Sequence, residues 1–111
     1  MTPEIPPSLR PALESLAERL ARRFGSRVRF VRLYGSWARG EAHEHSDVDV
    51  AVVIEGLTRP EWREVIDMGD DVGLETGVFL SPYVAPGDHF DGLLAGERLL
   101  ARDIVAQGIS V

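Results

Sequence analysis

The chain has 111 residues, carries 12 basic against 18 acidic side chains for a formal charge of −6, and contains no cysteine. That length suits one domain, 1–111, with a core but no second folded unit. The acidic balance argues against nucleic acid as the main partner, and the lack of cysteine removes disulfides, thiolate nucleophiles and cysteine-ligated zinc.

All the basic residues are arginine, which excludes Schiff-base chemistry through a lysine and a Walker-type phosphate lysine. The opening Met1-Thr2-Pro3-Glu4-Ile5-Pro6-Pro7 has neither a basic n-region nor an apolar h-region. No apolar run reaches bilayer length, so the expectation is a soluble, cytoplasmic protein without membrane contact.

In chain order, residues 1–7 read as an irregular N-terminal arm. Ser8 is placed to cap a helix in which Leu9, Leu13, Leu16, Ala17, Leu20, Ala21 and Phe24 recur at helical spacing until Gly25 stops it. Val28 to Tyr34 is rich in β-branched and aromatic residues and predicts a strand running into a tight turn at Gly35. Asp47 to Ile54 predicts a second strand. Glu55-Gly56-Leu57 breaks the pattern, and Thr58-Arg59-Pro60-Glu61 has the form of a capping box. The helix after it should turn Trp62, Val65, Ile66 and Val72 inward and kink or end early between Asp67 and Gly73, where glycines and acids cluster.

Gly77 is a helix stop, and residues 78–84 read as a third strand with Pro82 suited to an edge. Pro86-Gly87 predicts a turn. Residues 88–107 read as mostly helical, ending at Gly108 before a short tail, Ile109-Ser110-Val111. The sum is an α/β domain with a small mixed sheet, an acidic pair on one face and helices packed on the other.

The chemistry concentrates at Gly35-Ser36 and, ten residues on, Asp47-Val48-Asp49. Gly35 lets the backbone approach a ligand closely, and Ser36 offers a hydroxyl and an N–H to a phosphate. Alternation along a strand puts Asp47 and Asp49 on one face, roughly 6–7 Å apart. At that spacing the carboxylates repel, and a divalent cation resolves the repulsion. Magnesium takes one or two carboxylates plus phosphate oxygens and water, and paired metals suit in-line attack on a nucleotide α-phosphate.

The stretch Gly35-Ser36-Trp37-Ala38-Arg39-Gly40-Glu41, running to Ser46-Asp47-Val48-Asp49-Val50, resembles the signature of the DNA polymerase β nucleotidyltransferase superfamily. More narrowly it resembles the minimal nucleotidyltransferase (MNT) proteins, the antitoxins of HEPN/MNT toxin–antitoxin pairs. The resemblance implies a polymerase-β-like nucleotidyltransferase fold, ATP as substrate and two Mg²⁺ ions. Asp47 and Asp49 would be the catalytic metal ligands, with Gly35, Ser36 and Arg39 on the nucleotide.

Members of the superfamily usually carry a third carboxylate on the third strand. Residues 78–84 contain no Asp or Glu; Ser81 and Glu75 are the nearest candidates, and Glu75 reads more simply as a solvated helix end. The departure bears on turnover more than on nucleotide binding, since general-base help contributes about 10²–10⁴-fold in rate.

Other polar residues have plainer readings beside the functional ones. Arg39 either reaches a triphosphate oxygen or pairs with Glu41. His43 and His45 have His-x-His spacing without a third zinc ligand and read as a polar loop. Trp37 reads as core, Ser46 as a residue orienting Asp47 by a hydrogen bond, and Asp67, Asp70 and Asp71 as a solvated helix face.

Larger relatives look to an additional domain for the acceptor, so the resemblance implies that a partner supplies it here. The leading expectation is transfer of AMP from ATP to a tyrosine hydroxyl of a HEPN-domain toxin encoded nearby, in a homo- or hetero-oligomer. The alternatives are an antitoxin that neutralises its partner by binding alone, and nucleotidyl transfer to a small molecule such as an aminoglycoside.

Overall fold

A computed structural model describes residues 4–43 and 46–111. The elements run α1 (Arg10–Phe24), β1 (Val28–Tyr34), α2 (Ser36–Arg39), β2 (Val48–Ile54), α3 (Arg59–Thr76), β3 (Leu80–Pro86), α4 (Gly87–Ala95), α5 (Leu99–Gln107) and β4 (Ile109–Ser110). The strands form one sheet in the order β3-β2-β1-β4. β1 pairs antiparallel with β2, from Val28 opposite Ile54 to Tyr34 opposite Asp49. β3 lies parallel to β2, and α3 makes the crossover that a parallel pair requires.

Helices pack on both sides of the sheet, which explains why Val48–Ile54 is a nearly unbroken apolar run instead of an alternating one. On one face Val31, Leu33, Val48, Val50, Val52, Ile54 and Val84 meet Leu13, Leu16 and Leu20 of α1 and Val65 and Val72 of α3. On the other, Ala51 and Val53 meet Phe90 of α4 and Ala101 and Ile104 of α5, with Phe30, Tyr34 and Tyr83 at the margin. The expected mixed-sheet α/β fold is therefore present, and the helices α4 and α5 are added over the Ala51–Val53 half of the acid-bearing face. Leu33 is fully buried, so truncating it to alanine would cost about 2–5 kcal/mol.

Local signals set several boundaries. Thr58 accepts the N–H of Glu61 while the Glu61 carboxylate accepts the N–H of Thr58, the reciprocal cap expected there. Gly77 ends α3 in the left-handed region at φ 77°. Pro82 sits on β3, an edge strand, where a missing N–H can face outward without breaking the ladder.

Other expectations are corrected. Ser8 does not cap α1: the chain makes one more turn, with the Leu9 N–H donating to Pro6, and Leu9 takes the cap position without a side-chain bond. α3 neither kinks nor ends between Asp67 and Gly73 but runs to Thr76, with Gly73 buried against the Phe79 ring. Trp62 is 39% exposed instead of turned inward, because it flanks a groove along β3 and not the core.

The third strand spans Leu80–Pro86, two residues later than expected, and Gly87 starts α4 directly instead of forming a turn. The helical stretch after it breaks at Gly96 to Arg98, where Glu97 has φ 54°. The tail pairs as β4 against Arg32 and Leu33 of β1. None of the helices among the described residues is long and apolar enough to cross a membrane.

Candidate active site

The turn after β1 is built by Gly35, at φ 76° and ψ −153°, a conformation that strains any residue with a Cβ. A methyl group at this position would also overlap the Asp49 carboxylate. The glycine therefore does two things: it turns the chain, and it keeps the space over Asp49 open. Ser36 follows as the first residue of α2, and the N–H groups of Ala38 and Arg39 both donate back to the Gly35 carbonyl at 3.1 Å. The first N–H groups of a helix have no partner inside it, so those at the Ser36 end remain for another acceptor.

Asp47 is exposed just before β2, and Asp49 is the second residue of that strand, half-buried. The Asp49 carboxyl is held above the usual carboxylate range, first by burial and then by the nearby charge of Asp47, with Arg39 opposing. The two aspartates thus sense each other, as alternation along the strand requires. Among the described residues neither carboxylate is in an ion pair or side-chain hydrogen bond.

Register identifies the neighbours of Asp49. Tyr34 lies opposite it on β1 and Ser81 beside it on β3. Tyr34 titrates above its ordinary value through burial, then the charge of Asp49, then Tyr83. Sequence reasoning missed Tyr34, whose place beside Asp49 follows only from the register of β1 on β2. Ser81 is exposed.

Arg39 is exposed, with Nε donating to Glu41 at 3.2 Å and one terminal nitrogen to Gln107 at 3.4 Å. It therefore makes the surface pair, while its charge still reaches Asp49. Glu75 is ion-paired with Arg19 of α1, on the face of the sheet away from the aspartates, and so cannot join them. The Ser46 hydroxyl accepts the His43 N–H at 3.0 Å, closing its own loop instead of orienting Asp47. Trp37 packs on the α1 face and donates to the Ser46 carbonyl at 3.3 Å. His45 lies outside the described residues.

This donor set fits a divalent cation that draws its remaining ligands from phosphate and water. Two carboxylates share an open sheet end, a glycine clears the space above one of them, and no group of three metal-binding side chains occurs among the described residues. A groove of about 560 Å³ flanked by Trp62, Tyr83 and His89 lies at the opposite end of β3 and contains neither aspartate.

A family model described as "nucleotidyltransferase domain" matches residues 13–81, more than half of the chain, a span that contains Gly35, Ser36, Asp47, Asp49 and Ser81. A Methanocaldococcus jannaschii protein named "putative protein adenylyltransferase" is 34% identical over 55 residues; the match covers 49% of this chain and 56% of that protein. A solved structure described as "putative minimal nucleotidyltransferase" superposes with a TM-score of 0.67 at 25% identity, covering 94% of this chain and 93% of that one. A chain in a crystal structure of a toxin–antitoxin with AMP-PNP superposes at a TM-score of 0.55 and 20% identity, covering 87% of this chain and 70% of that one, which shows a shared fold.

Proposed function

The chain belongs to the nucleotidyltransferase domain family, and we propose that it moves the AMP moiety of ATP onto a hydroxyl of a partner protein, with Mg²⁺, in the cytoplasm. The observation that carries this reading is the aspartate pair, without ion pairs among the described residues, at an open sheet end beside a turn that only glycine fits. Structural lines become chemical ones at that point. Asp47 and Asp49 supply two negative charges side by side, and the Gly35-Ser36 turn presents backbone N–H groups and a hydroxyl to the β and γ phosphates. Arg39 exchanges Glu41 for a phosphate oxygen, a swap that costs little because an exposed pair is weak.

When bound, the cation neutralises the triphosphate and aligns its α-phosphorus for in-line displacement. The acceptor oxygen bonds to that phosphorus, the bond to the bridging oxygen breaks, pyrophosphate leaves, and the acceptor proton passes to solvent. The protein's contribution is position and charge.

A protein acceptor is supported by the named function of the Methanocaldococcus relative and by the toxin–antitoxin context of a structural neighbour. From the MNT resemblance of residues 35–50 we further take the partner to be a toxin of the HEPN class and the acceptor to be a tyrosine hydroxyl. Incubation of this protein and its genomic neighbour with ATP labelled at the α-phosphate and Mg²⁺ is the test. Label on the neighbour, lost with Asp47→Asn, is expected; an unlabelled neighbour under every divalent metal overturns the reading.

A second reading, neutralisation of the partner by contact without turnover, is favoured by the lack of a third acidic ligand among the described residues. If the Asp47→Asn, Asp49→Asn double variant still neutralises the partner, contact suffices.

A further inference from the structure

We infer that Ser81 makes this site selective for the cation–triphosphate complex over the free cation: the protein takes up one divalent ion per site, instead of the two that the resemblance implies, and takes it up together with its nucleotide. The inference rests on the proposed function and adds to it the form in which the substrate is recognised.

Ser81 is the residue of β3 paired with Asp49 of β2 in a parallel ladder, so both side chains project from the same face, about 4.8 Å apart at the backbone. The next pair along that face, Ala51 and Tyr83, contributes to one cluster with Phe90, which fixes the facing independently. Ser81 is exposed, and Asp47 and Asp49 lie at the same sheet end. A side chain at 81 is therefore the one position on β3 from which a third ligand reaches an ion held by the pair.

A neutral hydroxyl stands there. Glu75, the nearest acid before the strand in sequence, is turned to the opposite face and held by Arg19. No other acidic side chain among the described residues completes a group of three. Two carboxylates are a weak hold on free magnesium, which sheds water reluctantly and is ordinarily bound by one or two carboxylates plus substrate phosphates. A third carboxylate at 81 would retain the ion without nucleotide. Serine at 81 leaves the remaining corners to phosphate oxygens and water.

The test uses Mn²⁺ as a paramagnetic stand-in for Mg²⁺, with the free ion followed by EPR, and the non-transferable analogue α,β-methylene-ATP. Mn²⁺ alone is titrated into wild type, Ser81→Ala and Ser81→Asp; the Mn²⁺–analogue complex is then titrated calorimetrically into wild type. Expected are equally weak uptake of Mn²⁺ alone by wild type and Ser81→Ala, uptake at least about tenfold tighter by Ser81→Asp because ligand charge sets affinity, and binding of the complex to wild type at one ion per site. Wild type holding Mn²⁺ alone as tightly as Ser81→Asp, or taking two ions with the analogue, overturns the inference and leaves the proposed function standing. Failure of wild type to bind the complex at all overturns both. Should Ser81→Asp not fold, the wild-type comparison of Mn²⁺ alone against the complex decides by itself.

Discussion

The two ends of the sheet treat charge in opposite ways. At the end where β1 begins and β2 finishes, Glu55, Glu61 and Asp91 are answered by arginines: Arg27 grips Glu61 with two bonds of 2.8 Å, and Arg29 bridges Glu55 and Asp91, the latter at 2.6 Å. Those contacts tie β1 to the first turn of α3 and to α4. At the other end Asp47 and Asp49 face each other without an ion pair among the described residues. The contrast separates structural charge from functional charge. Acids that hold the fold are already neutralised, and under the proposed function the unpaired acids are left for the ligand to neutralise.

The largest effect that would sharpen this contrast is on activity at the unpaired end. Asp47→Asn should lower AMP transfer at least about a hundredfold, since a bound metal supplies several kcal/mol of transition-state stabilisation, while leaving the folded content seen by circular dichroism unchanged. Gly35→Ala comes next: it places a Cβ at positive φ and against Asp49, and should destabilise by about 1–3 kcal/mol as well as weaken nucleotide binding. Equal loss with a substitution at Gly56, another glycine at positive φ but with open space around it, would remove the special role of the Gly35 turn.

How much of this was legible beforehand differs by element. β1 was readable to its ends because a β-branched run meets an obligatory glycine, and the start of α3 because its capping box is local chemistry. β4 was not, since two residues, Ile109 and Ser110, become a strand only through β1 beside them. Trp62 misled because helical spacing marks a face without saying whether core or a surface groove lies against it.

The aspartate pair and Gly35 could be read from spacing alone. The neighbours Tyr34 and Ser81 could not be assigned, because each depends on a register between strands, and β3 starts two residues later than its composition suggested. Glu75 could be dismissed only after α3 was seen to turn it toward Arg19.

At the paired end the expected effects fall on stability and spare activity. Thr58→Ala removes the reciprocal cap and should cost about 1 kcal/mol, measured by urea unfolding, with AMP transfer retained. Titration behaviour should also divide the two ends. Arg27, then the Thr58 backbone, hold the Glu61 carboxyl down to about 2. A carboxyl lowered by folding contributes stability above its ordinary value near 4.5, and that contribution is lost as pH falls toward 2. Glu61→Gln should therefore flatten the acid limb of the stability profile.

Asp49 has the opposite sign. Its carboxyl is raised in the folded protein, so the folded state binds the proton more readily than the unfolded chain, and stability falls as pH rises through the raised value. Without metal, Asp49→Asn should give a small rise in melting temperature at neutral pH and none below the ordinary value of 3.8. This smallest effect is also the most telling about purpose, because it would show a residue that costs the fold stability in the absence of ligand.

The most direct test of the central claim is calorimetric titration of Mg²⁺–ATP into wild type and into the Asp47→Asn, Asp49→Asn double variant. Metal-dependent binding by wild type that disappears in the double variant is the predicted result. Equal binding by both, or binding that ignores Mg²⁺, would contradict the assignment of the unpaired end as the nucleotide site.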